Sequence, residues 1–214
     1  WSSDVCSSDL VGIVWDPASG PGQVYVKTHQ VPFGEYVPFR SLLASVIGRF
    51  DRIPRDFVAG TSPGVLDVGP ARVADVICFE VAYDDVVRNA VVGGGRAIVV
   101  QTNNATFAGL GQPEQQVAMS RLRAVEHGRT VLVAATTGIG SVIDPAGRVI
   151  AEIPEGSVGS LDENVALRDS LTLADRLGEW PEIAIGFAAV AAMIVAAVAT
   201  VRRRPSDPTP SDAA

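Results

Sequence analysis

Cys78 ends an apolar run, Val73-Ala74-Asp75-Val76-Ile77, and a helical pattern begins within a few residues of it. A strand that turns sharply into a helix lifts its last side chain out of the sheet, and the helix N-terminus then favours a thiolate over a thiol. Such a position suits a nucleophile, although an unassisted thiol has a pKa of about 8.5 and needs a neighbouring base or cation. The competing reading is a small core hydrophobe, because free cysteine is among the most buried residue types. Lys27 is the single lysine among 17 basic side chains, at the end of a β-rich run and eight residues before Glu35 in a Pro/Gly loop. A chain that uses arginine for every other cation has little need of lysine for solubility. A compact ammonium can instead act as a point charge beside a developing oxyanion. His29 lies in the lysine loop and His127 at the end of a helical run, where capping is the ordinary role, so neither is assigned to a Cys–His dyad. The other cysteine, Cys6, is far from Cys78 in the chain. With no Cys-x-x-Cys and no His-rich cluster, neither a disulfide framework nor a zinc site is expected.

The elements that must position these groups alternate in type. Runs rich in β-branched residues fall at 11–15, 23–28, 72–79, 96–101, 130–135, 141–144 and 148–153. Helical periodicity falls at 83–92, stopped by Gly93-Gly94-Gly95, and at 113–126, where Ala118, Leu122 and Val125 at i, i+4 and i+7 mark an apolar face. Asp16-Pro17-Ala18-Ser19-Gly20 and Asp144-Pro145-Ala146-Gly147 read as hairpin turns. Hairpins mixed with crossovers predict a layered α/β domain, with a further surface helix at about 40–48.

The chain has 214 residues, 47% of them apolar, with 24 acidic against 17 basic side chains and a net charge of −7. That is enough for one sizeable core, and the acidic balance gives no footprint for nucleic acid. The first ten residues, WSSDVCSSDL, repeat Ser-Ser-Asp without periodicity and are read as a non-native segment, the alternative being a flexible native terminus. Residues 183–201 carry no charge and are long enough to cross a bilayer, a buried core helix being the other reading. Arg202, Arg203 and Arg204 follow this span, whereas Glu179, Trp180 and Glu182 precede it. The positive-inside rule puts the tail, 202–214, in the cytoplasm and the preceding domain outside. The tail's Pro/Ser/Asp composition predicts disorder.

The strings YVKTHQVPFGEYVPFR, VICFE and QTNNATFAGLGQPEQQVAMSRLRAVEHGR, with Gly178-Glu179-Trp180-Pro181 before the apolar span, resemble the carbon–nitrogen hydrolase (nitrilase) superfamily. Within it they resemble the apolipoprotein N-acyltransferases of bacterial envelopes. The resemblance implies an αββα sandwich at 11–178 carried on membrane helices, of which 183–201 would be the last. It implies that Cys78 is the nucleophile, Lys27 the catalytic lysine, and Glu35 and Glu80 two further acidic positions at the site. Phe79, Asn103, Asn104 and Phe107 would border the substrate, with no cofactor. The family's triad also includes a glutamate well upstream of the lysine. No glutamate lies between Val11 and Lys27, so the chain reads as the C-terminal portion of a longer, multi-pass enzyme of the bacterial inner membrane, inactive as it stands.

The implied reaction moves a fatty acyl group from a phospholipid, through a Cys78 thioester, to the N-terminal amine of a diacylglyceryl-cysteine lipoprotein. The apolar residues Phe33, Phe39, Leu42, Leu43, Phe50 and Phe57 of the lysine loop would meet the bilayer and admit acyl chains, or would simply pack a surface helix. Two other readings stay open: a membrane-tethered amidase hydrolysing a C–N bond, and a non-catalytic envelope domain.

Overall fold

The computed structural model describes residues 9–40 and 56–202. The expected helix at about 40–48 and the apolar groups Leu42, Leu43 and Phe50 fall outside this set, as do Cys6 and the tail beyond Arg202. The chain divides into a unit ending at Arg176 and a second beginning at Leu177.

The first unit is built on a six-stranded mixed sheet ordered β3-β4-β5-β6-β7-β8. These strands are Val65–Val68, Ala71–Ile77, Ala97–Thr102, Val131–Ala135, Gly140–Ile143 and Val149–Ile153. β4, β5 and β6 run parallel, and the outer pairings are antiparallel. Parallel neighbours need crossovers, which α1 (Asp84–Val92) and α2 (Gln112–His127) supply. Alternation along the strands sends Ala74, Val76, Ile98, Val100, Val131 and Val133 into the core that also holds Val87, Val91 and Ala124 of the two helices. The opposite face, through Val73 and Val99, packs with Tyr25 of a two-stranded hairpin. That hairpin is β1 (Val11–Asp16) and β2 (Gly20–Val26). Leu10, set aside with the non-native segment, takes part in this architecture, its carbonyl accepting the Lys27 N–H at 2.9 Å.

Two expectations need correction. A strand at 65–68 was not anticipated; it pairs with β4 across Gly69-Pro70, with Gly69 at φ +56°. The buried side of α2 is also not the one its apolar residues suggested. Ala118, Leu122 and Val125 are exposed, and Gln116, Val117, Ser120, Arg123, Ala124 and His127 face inward. The reason lies in what this helix holds, described below.

The last elements among the described residues are α3 (Leu173–Leu177) and α4 (Trp180–Arg202). Within α4, Trp180–Thr200 has a mean hydropathy of 2.5, and it is the one helix among the described residues long and apolar enough to cross a membrane.

Candidate active site

β4 ends at Ile77, and Cys78 opens a 3-10 turn, Cys78–Ala82, that leads into α1. Cys78 sits at φ +57°, in the left-handed region that costs a non-glycine residue about 1 kcal/mol or more. Its thiol is free and half-buried. The strain is held by the residues around it, beginning with Glu80. The Glu80 carboxylate is fully buried, and its Oε1 accepts the N–H groups of Thr28 (2.8 Å) and His29 (2.9 Å) and the hydroxyls of Tyr25 (2.9 Å) and Thr28 (3.1 Å). Oε2 accepts the Ile77 N–H at 2.8 Å. A carboxylate has acceptor sites enough for so many donors, and this one rivets the lysine loop to the Cys78 turn. Burial, with the Glu80 charge beside it, holds the Tyr25 phenol well above the usual tyrosine range, so Tyr25 remains a donor.

Lys27 follows β2 directly and is buried to 1% exposure. Its Nζ lies 2.6 Å from Glu35 Oε1, and Glu35 Oε2 accepts the Val31 N–H at 2.9 Å. The Pro/Gly loop therefore folds back on the lysine, which is why the carboxylate eight residues on reaches it. A buried ammonium needs such a partner. Glu35 and Cys78 line the same cavity of about 1060 Å³, along with Leu10, Gln101, Asn103 and Val158. Among the residues lining it, Glu35 supplies the carboxylate.

The four expected border residues separate into two sets. Phe79, Asn103 and Phe107 are exposed. Phe79 stands edge-on to Tyr83 with ring centroids 5.8 Å apart, and Tyr83 in turn stacks on His29 at 4.1 Å. Asn104 is instead buried. Its Nδ2 donates to Gln116 Oε1 at 2.8 Å, and its backbone N–H donates to the Thr137 carbonyl. Its side chain thus supports the loop from beneath rather than facing the cavity. His127, assigned no chemistry, is fully buried with Nδ1 2.6 Å from Asp175 Oδ1.

Three supporting residues escaped the sequence reading. Arg123 on α2 donates from Nε to the Val81 carbonyl (2.8 Å) and from Nη2 to the Ala82 carbonyl (2.9 Å), and it pairs with Asp84 and Glu126. Gln116, two turns earlier on the same side, donates from Nε2 to the Cys78 carbonyl at 3.0 Å. Tyr25 is the third, through its hydroxyl on Glu80. The available signal was the recurrence of polar Gln116, Ser120 and Arg123 at i, i+4 and i+7: a polar stripe at core spacing marks a helix that grips backbone rather than packing on apolar side chains.

The pattern of the carbon-nitrogen hydrolase family matches residues 11–170. An apolipoprotein N-acyltransferase of Mycolicibacterium smegmatis is 38% identical over 184 residues, covering 86% of this chain and 31% of that protein. One from Rhodopseudomonas palustris is 32% identical, covering 85% of this chain and 33% of its own length. The chain thus spans about a third of the curated relatives it matches. Among solved structures, an amidase from Nesterenkonia sp. superposes with a TM-score of 0.52 at 22% identity, over 79% of this chain and 60% of that one. A variant of the Nesterenkonia sp. AN1 amidase with acrylamide added to its active-site cysteine gives 0.50 at 22% identity, over 68% and 52%. At that identity the likeness is one of fold, and the fold is the nitrilase-like αββα class.

Proposed function

The chain belongs to the carbon–nitrogen hydrolase family, and from that premise we propose that its site serves acyl transfer through a thioester on Cys78, as part of lipoprotein N-acylation in a bacterial membrane. The observation that carries this reading is a cysteine held at φ +57° at a strand end, opening onto a cavity that the lysine's carboxylate partner also lines. The relatives' name, apolipoprotein N-acyltransferase, supports a lipoprotein as the acyl acceptor; a phospholipid donor and a diacylated acceptor are what we propose from the resemblance.

In the first step the Cys78 sulfur attacks the ester carbonyl of the phospholipid, the C–O bond breaks, and a lysophospholipid leaves with the proton. In the second, the α-amine of the lipoprotein's N-terminal cysteine attacks the thioester, an amide forms, and the thiol returns. Lys27 stabilises the oxyanion of both tetrahedral intermediates, with the Phe79 N–H as a second donor. Glu35 orients the ammonium, and Glu80 keeps the lysine loop against the nucleophile turn. Phe79, Asn103 and Phe107, exposed, are the acyl-chain contacts we propose, with Asn104 supporting their loop. The base that takes the thiol proton is, by the resemblance, a further glutamate upstream of the lysine.

The test incubates the polypeptide encoded by the gene, in detergent, with phospholipid and a diacylated lipopeptide. A triacylated product and an acyl adduct on Cys78, both absent in Cys78→Ala, are expected. Lys27→Ala is expected to lose a hundredfold or more, since one oxyanion donor contributes roughly 3 to 4 kcal/mol. Release of free fatty acid or ammonia without lipopeptide acylation would instead make the protein a hydrolase.

A further inference from the structure

We propose that Gln116 is a positioning residue for the nucleophile: its hydrogen bond to the Cys78 carbonyl fixes the peptide plane that carries the Phe79 N–H. The inference rests on the reading of Cys78 as the nucleophile. A peptide unit is planar, so the carbonyl of residue 78 and the N–H of residue 79 point in opposite directions from one rigid plate. Holding the oxygen from the α2 side therefore aims the N–H away from α2, and it fixes ψ of a residue whose φ is already in the left-handed region.

The amide itself is held in one orientation. Gln116 is 6% exposed, and its Oε1 accepts from Asn104 Nδ2 at 2.8 Å with the Thr102 hydroxyl 3.0 Å away. The same hydroxyl lies 2.9 Å from Asn104 Oδ1. Turning the Gln116 amide over would set its NH2 against the Asn104 NH2 and its oxygen against the Cys78 carbonyl, two repulsions at once. Gly138 leaves room for this arrangement, since a Cβ there would stand 2.8 Å from Asn104 Nδ2. The Ser120 hydroxyl, one turn on, is spent on the Gln116 carbonyl at 2.8 Å and does not compete. The chain of contacts Thr102 and Asn104 to Gln116 to Cys78 thus ties the loop that carries Asn103 and Phe107 to the reacting turn.

The test is Gln116→Met, which keeps the length and removes the donor, in the polypeptide encoded by the gene. Three quantities are read: kcat and KM for acyl transfer, the rate at which iodoacetamide modifies Cys78 as followed by peptide mass, and the melting temperature. A fall in kcat of at least tenfold with KM within twofold is expected, because an oxyanion contact is made in the transition state and not in the bound substrate. Alkylation of Cys78 is expected to slow at least threefold as the turn relaxes, with melting lowered by less than about 5 °C. Wild-type kcat and alkylation in the variant would overturn the proposal, and so would losses that come only with a larger drop in melting temperature. If the Met variant does not fold, Asn104→Ala, which leaves Gln116 in place but frees its amide to turn, decides by the same readouts. If the wild type transfers no acyl group but the variant's Cys78 still alkylates more slowly, the acyltransferase reading fails and the positioning role stands.

Discussion

Asp75 is 1% exposed on β4, three residues before Cys78, and both its oxygens accept from Gln101 Nε2, at 2.8 and 2.9 Å. The hairpin closes over it at Gly12, where a Cβ would stand 1.9 Å from Asp75 Oδ2, so no other residue fits there without moving the carboxyl. Burial, aided by the Glu80 charge and opposed by the Gln101 bond, raises the Asp75 pKa to about 6. The folded chain therefore binds this proton more tightly than the unfolded one, whose value is 3.8. Between these limits the folded state carries more protons, so stability falls as pH rises from about 4 and the loss is complete above about 6, on the order of 3 kcal/mol. Asp75→Asn keeps an acceptor for Gln101 and removes the charge. Urea unfolding at pH 8 is expected to show it more stable than wild type by an amount of this order, with the two converging near pH 4; equal stability at both pH values would show that Asp75 carries no such penalty.

α2 shows where the sequence could be read and where it misled. Its limits were legible to within a residue, and so were β1, β5, β6, β7 and β8, because periodicity and Gly or Pro punctuation are local signals. β3 was missed because four residues between Pro63-Gly64 and Gly69-Pro70 are too short to show alternation. The face of α2 was misread because the apolar rule assumes that inward residues meet side chains. Here they meet the carbonyls of the Cys78–Ala82 turn, which only polar side chains satisfy. At the site, Cys78, Lys27 and Glu35 stood out by type and spacing, whereas four of the five donors on Glu80 come from Tyr25, Thr28 and His29, distant in the chain, a juxtaposition no spacing rule reaches. The two assignments of the α2 face differ in outcome. Leu122, 58% exposed, is expected to tolerate Leu122→Gln within about 0.5 kcal/mol. Arg123→Ala leaves two carbonyls and two carboxylates without their cation and is expected to cost about 3 to 5 kcal/mol. Thermal denaturation compares them, and the reverse ranking would restore the apolar face.

At the scale of the whole molecule, the site and the apolar helix belong to separate units, and it is the helix that points to a membrane setting. Residues 183–201 of α4 are uncharged and are followed by Arg202, Arg203 and Arg204, with Glu179 and Glu182 at the other end. Cations flanking a span are retained on the cytoplasmic side, whereas acidic residues contribute little, so the orientation we propose has the C-terminal end inside. If α4 spans the bilayer in that orientation, the unit bearing Cys78 is expected on the outer side, the side on which the proposed acceptor would have to be presented. A labelling experiment separates the two ends. In intact spheroplasts a membrane-impermeant maleimide is expected to reach Cys78 directly, but to label a cysteine introduced as Ser211→Cys only after permeabilisation. Replacing the three arginines with glutamines is expected to weaken that asymmetry. Labelling of both cysteines without permeabilisation would mean that α4 does not cross the membrane, and labelling of position 211 alone would invert the orientation and remove Cys78 from the side of its proposed acceptor.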